Sequence, residues 1–364
     1  MAPIMAPKED SAMARDKGSG SIYQDAGGRW RASIEAGWTA TGARRRIKVS
    51  AATKTAAQTK LKARLRQISE SGIPAPGTAV MTVKKYAEQW APRRAKSRRP
   101  KTQSTDESAL RKWIIPTIGH VRLDMLSPAH IRSIATAIAK AKRSSSTAHR
   151  TQAVLLKMLK DATLDGHMVP PRVLLVEKPV IAPNDRQGLT AVESMAMLTT
   201  ASGDPDCSRW GAALTEAMRQ GECLGLTWQC VDLEAAEVEI SWQLQDLPYE
   251  HGCEGTCQYK RAGSCPARRF KIPDGYEVRH LDGAWCLVRP KTASGRRVLP
   301  LISWMVDTLR EWREQCPDSP FDLVWPDENG NPRHPDADRA AWRALQVRAE
   351  IAHPAGRSYF PHEA

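Results

Sequence analysis

No stretch of this 364-residue chain is apolar for long enough to span a bilayer. Residues 1–20 are small and polar without an apolar centre, so no secretory signal is visible. There is no glycine-rich phosphate loop, and no carboxylate pair is clustered to hold two metal ions. Membrane transport, P-loop nucleotide chemistry and two-metal catalysis therefore drop out. Acidic residues nearly vanish between 41 and 100, where Glu70 and Glu88 stand alone. Against them are Arg44, Arg45, Arg46, Lys48, Lys54, Lys60, Lys62, Arg64 and Arg66, then Lys84, Lys85, Arg93, Arg94, Lys96, Arg98 and Arg99. A formal charge of +14 and a pI near 9.6 point to a polyanionic partner. A cytoplasmic protein with reduced thiols is expected, which leaves the eight cysteines free or metal-bound rather than paired.

What is present suggests two or three domains, with a hydrophobic content of 41% to build their cores. Residues 1–20 read as a disordered leader. Ser21-Ile22-Tyr23-Gln24 and Trp30 to Ala36 alternate like strands around the turn Asp25-Ala26-Gly27-Gly28. A second turn at 41–43 leads to a third strand at 44–49, and a helix over 53–71 places Ala56, Leu61, Leu65 and Ile68 on one face. A three-stranded sheet backed by one helix makes a small domain at 21–71. Its basic strand, carrying Arg44, Arg45, Arg46 and Lys48, suits a DNA major groove; a solvated basic face is the alternative.

A linker at 72–80 is stiffened by Pro74 and Pro76. From there the period is helical through 81–177. Val83, Tyr86, Ala87 and Trp90 mark one helix, and Thr105, Leu110, Trp113 and Ile114 a second. Ser127-Pro128 opens a third, and a fourth runs over 146–166. Trp90, Trp113 and Met158 read as core. The loops carry Arg98, Arg99, Lys101, Lys142, Arg143 and Arg150, candidate DNA contacts. Pro170-Pro171 and Lys178-Pro179 begin a second linker, and a mixed domain occupies 178–364. In it, helices at 195–201 and 208–217 precede Arg219. Strands at 286–288 and 297–301 are joined through the turn that bears Lys291. A helix over 302–315 shows the stripe Trp304, Val306, Leu309 and Trp312, and another covers 338–351. The fold class expected is mainly α with small β elements.

Arg219, Lys291 and His362 are residue types that together serve phosphoryl transfer. A guanidinium donates two parallel hydrogen bonds to phosphate oxygens, a lysine can protonate a leaving oxygen, and a histidine can exchange a proton. Separately, His251, Cys253, Cys257 and Cys265 can form a tetrahedral zinc set, flanked by Lys260, Arg261, Arg268 and Arg269. A flexible loop with free thiols is the alternative there. Cys207, Cys223, Cys230, Cys286 and Cys316 read as scattered small hydrophobes.

Met218-Arg219-Gln220-Gly221-Glu222-Cys223-Leu224-Gly225-Leu226 resembles the first arginine box of the tyrosine recombinases of the phage integrase family. Pro290-Lys291-Thr292 through Arg297-Val298-Leu299-Pro300-Leu301 resembles that family's β-hairpin lysine segment, and Pro361-His362-Glu363-Ala364 resembles the opening of its His-x-x-Arg box. Residues 21–71 resemble its arm-binding domain and 81–177 its helical core-binding, SAM-like domain. Ala217 stands where the family often has glycine. The resemblance implies integration of phage or mobile-element DNA by site-specific recombination in a bacterial host cell. It implies attack of a tyrosine on a scissile phosphate to give a 3′-phosphotyrosyl bond, with Arg219 and a second arginine stabilising the phosphorane. Lys291 would protonate the 5′ oxygen and Glu222 would buttress the arginine box. No cofactor is required for that chemistry, and the partners implied are double-stranded attachment-site DNA and further copies of the chain.

The second arginine would be the residue after Ala364, and the family's tyrosine lies further on. The chain thus resembles an integrase cut inside its catalytic domain, expected to bind DNA without cleaving it and to form tetramers poorly. Tyr359, which precedes the histidine, reads as packing, and Trp342, Leu345 and Phe360 are expected to be exposed. The rival reading is a non-catalytic DNA-binding regulator that occupies attachment sites. A zinc-dependent nucleic-acid binder of other ancestry leaves the arginine box and the lysine segment unexplained.

Overall fold

The computed structural model describes residues 21–38, 44–71, 81–183 and 187–361, without the side chains of 36–38, 44, 45, 67–71 and 293. The expected leader at 1–20, the turn at 41–43, the linker at 72–80 and His362 lie outside the described residues. Two units make up the chain, residues 1–92 with 106–181, and residues 93–105 with 182–364.

The first unit opens with a sheet, β1 (Ser21–Gln24), β2 (Trp30–Trp38) and β3 (Arg44–Ala51), antiparallel in the order β1-β2-β3. Asp25 makes the first turn by accepting from the Gly27 and Arg29 amides at 3.1 and 3.0 Å, while Gly28 supplies the positive φ of 76°. Helix α1 (Lys54–Ser71) covers the face formed by Ala32, Ile34 and Ala51. The expected contact of Ala56 is wrong by one position: Ala56 is exposed, and Ala57 and Leu61, one turn apart, are the buried pair. The period of two in β3 puts Ile47 and Val49 toward the helix and leaves Arg46 and Lys48 exposed.

Helices α2 (Val83–Ala95), α3 (Pro100–Ala109), α4 (Ile115–Ile118), α5 (Pro128–Lys140), α6 (Ser145–Leu164) and α7 (Pro171–Leu174) follow. A π turn at Leu110–Ile114 joins α3 to α4, so the expected second helix runs on with one extra residue in its turn. Tyr86, Trp90, Ile114, Ile131, Met158 and Val173 share one core, while Trp113 packs at its edge. Two buried rings keep their polar ends satisfied: Tyr86 Oη donates to Asp165 at 2.7 Å and Trp90 Nε1 to Asp161 at 2.8 Å. Ser127 caps α5, as its position before Pro128 predicts. The Pro170-Pro171 pair does not begin a linker. It starts α7, and Val173 is fully buried. The strand of chain after it is strapped to α6 by buried Gln152, which donates to the carbonyls of Val176 and Glu177 at 3.0 and 2.9 Å.

The second unit begins with α8 (Ala191–Thr200), closed by a capping box between Thr190 and Glu193, then α9 (Cys207–Leu214) and α10 (Gln220–Leu224). The expected helix through 217 stops at Leu214, because Ala217 adopts φ 50°. The strands are β4 (Val231–Asp232), β5 (Glu237–Ile240), β6 (Gln243–Asp246), β7 (Tyr249–His251), β8 (Arg268–Phe270), β9 (Val278–His280), β10 (Trp285–Val288) and β11 (Arg297–Pro300). Helices α11 (Ser303–Gln315) and α12 (Pro335–Arg348) complete it.

The strands flanking Lys291 do not form a hairpin with each other. β10 lies between β6 and β9, whereas β11 pairs with β5 in the order β11-β5-β4, with Arg297 opposite Ile240. The hairpin is therefore β5–β11, and residues 241–296 form its expanded turn. In α11, Val306 and Leu309 are buried and Trp312 packs at the edge of the same core, as the expected stripe has it; Trp304 alone departs from it, being exposed while its neighbour Met305 is buried. Trp342 and Leu345, expected on the surface, are buried. Trp342 packs on Trp210 at 5.4 Å and donates Nε1 to the Tyr359 carbonyl at 2.9 Å; Phe360 alone of the three is exposed.

Candidate phosphate-binding site

Arg219 follows the left-handed Ala217 and stands at the N-cap of α10, with extended φ,ψ of −70°,149°. Its position is set by Glu222 one turn on. The Glu222 carboxylate accepts the Arg219 amide at 3.0 Å and the Arg219 Nη1 at 2.8 Å. The same carboxylate accepts Arg297 Nη1 and Nη2 at 3.2 and 2.9 Å, and Arg297 also donates to the Gly295 carbonyl at 3.3 Å. Glu222 is 3% exposed, Arg297 26% and Arg219 73%. One buried carboxylate thus holds two guanidiniums, and that of Arg219 is the one presented to solvent. Burial pushes the Glu222 carboxyl up, but hydrogen bonds from Arg297 and from the Arg219 amide and side chain outweigh it, leaving its pKa below the ordinary value.

Behind this pair the site is fixed by a polar network centred on buried Asp338. Gln220 donates to the Pro335 carbonyl at 2.9 Å and to Asp338 at 2.8 Å, and accepts from Arg339 at 3.0 Å. Asp338 in turn takes Nε and Nη2 of fully buried Arg209 at 3.1 and 3.0 Å. α10 is pressed against β6: a Cβ at Gly225 would lie 2.5 Å from the Leu244 nitrogen, so only glycine fits there.

Lys291 is exposed on the connector from β10 to β11. Arg99 anchors that connector by donating Nη1 to the Arg289 carbonyl at 3.2 Å and Nη2 to the Pro290 carbonyl at 2.9 Å. It also lies 5.8 Å from the Tyr276 ring centroid. This half-buried arginine was expected to contact DNA; the structure turns its guanidinium to the backbone just before the lysine. Lys101 stands near Asp246 at 3.9 Å, an exposed pair. Arg98, Lys142, Arg143 and Arg150 are exposed, as are Arg46 and Lys48, and Arg46 lies 3.5 Å from Glu35. Arg44 and Arg45 have backbone places in β3, with side chains outside the described residues.

Sequence reading missed Arg297, Gln220 and Asp338 as parts of the site. Arg297 lies within the lysine segment at 290–301, but its pairing with Glu222 spans 75 residues, and no local pattern reports such a contact. The His251, Cys253, Cys257 and Cys265 side chains do converge, with their ligand atoms all within 4.8 Å of one another.

Residues 82–137 match the family described as phage integrase, N-terminal SAM-like domain. An integrase of Saccharopolyspora erythraea is 22% identical over 283 residues, which are 70% of this chain; the chain spans 64% of that relative's length. Among solved structures, the Tn1549 transposon integrase in complex with transposon right-end DNA superposes with a TM-score of 0.58 at 18% identity, covering 78% of this chain and 84% of the other. A lambda integrase dimer bound to a core site gives a TM-score of 0.52 at 13% identity, covering 96% of this chain and 86% of the other. Among the described residues, no helix is long and apolar enough to cross a membrane.

Proposed function

We propose that this chain, a member of the tyrosine recombinases, binds double-stranded DNA at attachment sites and seats a scissile phosphate with Lys291 and with Arg219, which Glu222 holds in place, for site-specific recombination. The observation that carries this reading is the Arg219–Glu222–Arg297 clamp: a buried carboxylate aims an exposed guanidinium beside α10. A guanidinium already oriented by a carboxylate spends little entropy on meeting phosphate oxygens, and it stabilises the extra charge that develops when a fifth oxygen approaches phosphorus. In the transesterification, a tyrosine hydroxyl gives up its proton to solvent and its oxygen bonds to phosphorus as the P–O5′ bond breaks, while Lys291 gives its proton to the departing 5′ oxygen. No cofactor takes part. His362 is a further candidate proton donor in this reading. Tyr359 is not assigned as nucleophile, because it is buried and its hydroxyl faces Glu193 at 3.3 Å.

The outer contacts of the proposed complex are phosphate contacts. Arg46 and Lys48 on the open sheet face, with Arg44 and Arg45 on the same strand, serve the first domain. Arg98, Lys101, Lys142, Arg143 and Arg150 serve the helical one. Copies of the chain are proposed to assemble on DNA.

The test is selection from a random-sequence duplex pool by purified residues 1–364, followed by footprinting of the enriched duplexes. A shared core motif is expected, and Arg219→Ala is expected to lose protection at one phosphate while the flanking protection persists. Absence of any enrichment over the starting pool would sink the reading. In a preparation competent to form the covalent adduct, Arg219→Ala should slow adduct formation by roughly a hundredfold or more.

A further inference from the structure

The expanded turn of the β5–β11 hairpin contains a segment that the phosphate chemistry does not use. β7 and β8 are three residues each, and a two-stranded ribbon of that length is marginal in water. Between 248 and 285 the single buried residue is Cys265, so apolar burial does not hold the distal part of this segment together. Four ligand-type side chains meet there instead. His251 ends β7; Cys253 and Cys257 follow it; Cys265 leads into β8.

We propose that His251, Cys253, Cys257 and Cys265 bind one zinc ion through Nδ1 and three thiolate sulfurs, and that this ion staples the tip of the β7–β8 ribbon. Zn–S bonds of about 2.3 Å and a Zn–N bond of about 2.0–2.1 Å at the tetrahedral angle require an N···S edge of about 3.5 Å. The distances from His251 Nδ1 are 3.8 Å to Cys253 Sγ and 3.3 Å to Cys257 Sγ, on either side of that value. All the cysteines are free rather than disulfide-bonded. Three sulfurs and an imidazole select zinc over magnesium or calcium, which require oxygen donors. Four protein ligands close the coordination sphere, the pattern of a structural ion with no position for substrate.

The backbone is shaped for this set. Glu254 and Gly255 take φ of 51° and 88°, and the Cys253 carbonyl accepts from the Thr256 amide and hydroxyl at 2.9 and 2.7 Å. That tight turn returns Cys257 to Cys253. Gly252 admits no side chain, since a Cβ would lie 2.2 Å from the Ala267 carbonyl oxygen. A 3-10 turn at Ala262–Ser264 delivers Cys265, whose carbonyl accepts the Arg268 amide at 3.0 Å. Register pairs His251 with Arg268 and Glu250 with Arg269, so the first ligand and the entry to β8 lie side by side. On binding, each cysteine gives up its proton to solvent and the ion changes no oxidation state.

The experiment is metal analysis of purified residues 1–364 by mass spectrometry, with no metal added during purification. One zinc per chain is expected, and Cys253→Ser and Cys265→Ser should each lose it while the helical signal of the rest of the chain persists. Fewer than one zinc in two chains, or zinc retained equally by both variants, would overturn the proposal. Should the variants fail to fold, the wild-type protein still decides. Cobalt exchanged into it should show the intense visible bands and thiolate charge transfer of a tetrahedral site. Trypsin should cut after Lys260 or Arg261 only once a chelator has removed the metal. A weak octahedral cobalt spectrum, or cleavage indifferent to the chelator, counts against it. None of these readouts depends on DNA, so a failure here leaves the phosphate site untouched.

Discussion

At the scale of single residues, the site turns on Glu222. Its folded pKa is depressed, so its stabilising effect is complete above the ordinary value of 4.5 and fades as pH falls through the lower folded value. Replacing it as Glu222→Gln removes the charge from hydrogen bonds with two arginines and should cost about 1.5–3 kcal/mol at neutral pH. Urea melts of both proteins across pH should show that gap closing toward acid; a constant gap would mean that the carboxylate is not the source. Ala217 offers a second check. An L-residue in the left-handed region is strained by about 1–2 kcal/mol, and glycine there is not. Ala217→Gly should therefore leave the melting temperature unchanged or raise it, the strain relieved offsetting the added freedom of the unfolded chain. Arg219 was legible in the sequence because its box is contiguous and its partner Glu222 is one turn away. Arg297 and Asp338 were not, because their partners lie 75 and 118 residues distant in sequence.

Among the elements, α9, α10 and α12 meet at the buried pair of Arg209 and Asp338, with Gln220 as third member. Removing one partner strands a charge in the interior. Asp338→Ala should cost about 3–5 kcal/mol and should also loosen the seat of α10. Denaturant unfolding read by tryptophan fluorescence would measure it, since Trp210 and Trp342 pack within this region. The element boundary that sequence reading recovered is one with a chemical marker, Ser127 before Pro128. Those it lost are the strands β6 to β9, of three or four residues each, too short for a period to show. It also paired β11 with its neighbour in sequence, β10. Which strand lies beside β11 is decided by packing across the unit, and β5 supplies that partner from 57 residues away, as Glu239 opposite Val298 and Ile240 opposite Arg297 record.

For the whole molecule, the excess of basic charge makes the proposed DNA binding a matter of counterion release. The logarithm of affinity should fall linearly with the logarithm of salt, by about 0.9 for each phosphate contacted. Arg46→Ala and Lys48→Ala should each lower that slope by roughly one without altering which sequences are enriched. Anisotropy titrations over a salt series would read both effects, and an unchanged slope would remove the sheet face from the interface. The expanded turn bears on something else, the order in which the chain folds. β5 and β11 can pair only after the ends of residues 241–296 meet, a contact between residues far apart along the chain. Loop-closure entropy rises slowly with length, by about 0.6 kcal/mol per doubling, but search time rises with contact separation. The strand that follows Lys291 should therefore be among the last to acquire hydrogen-exchange protection during refolding, well after the α5–α6 pair whose contacts are local.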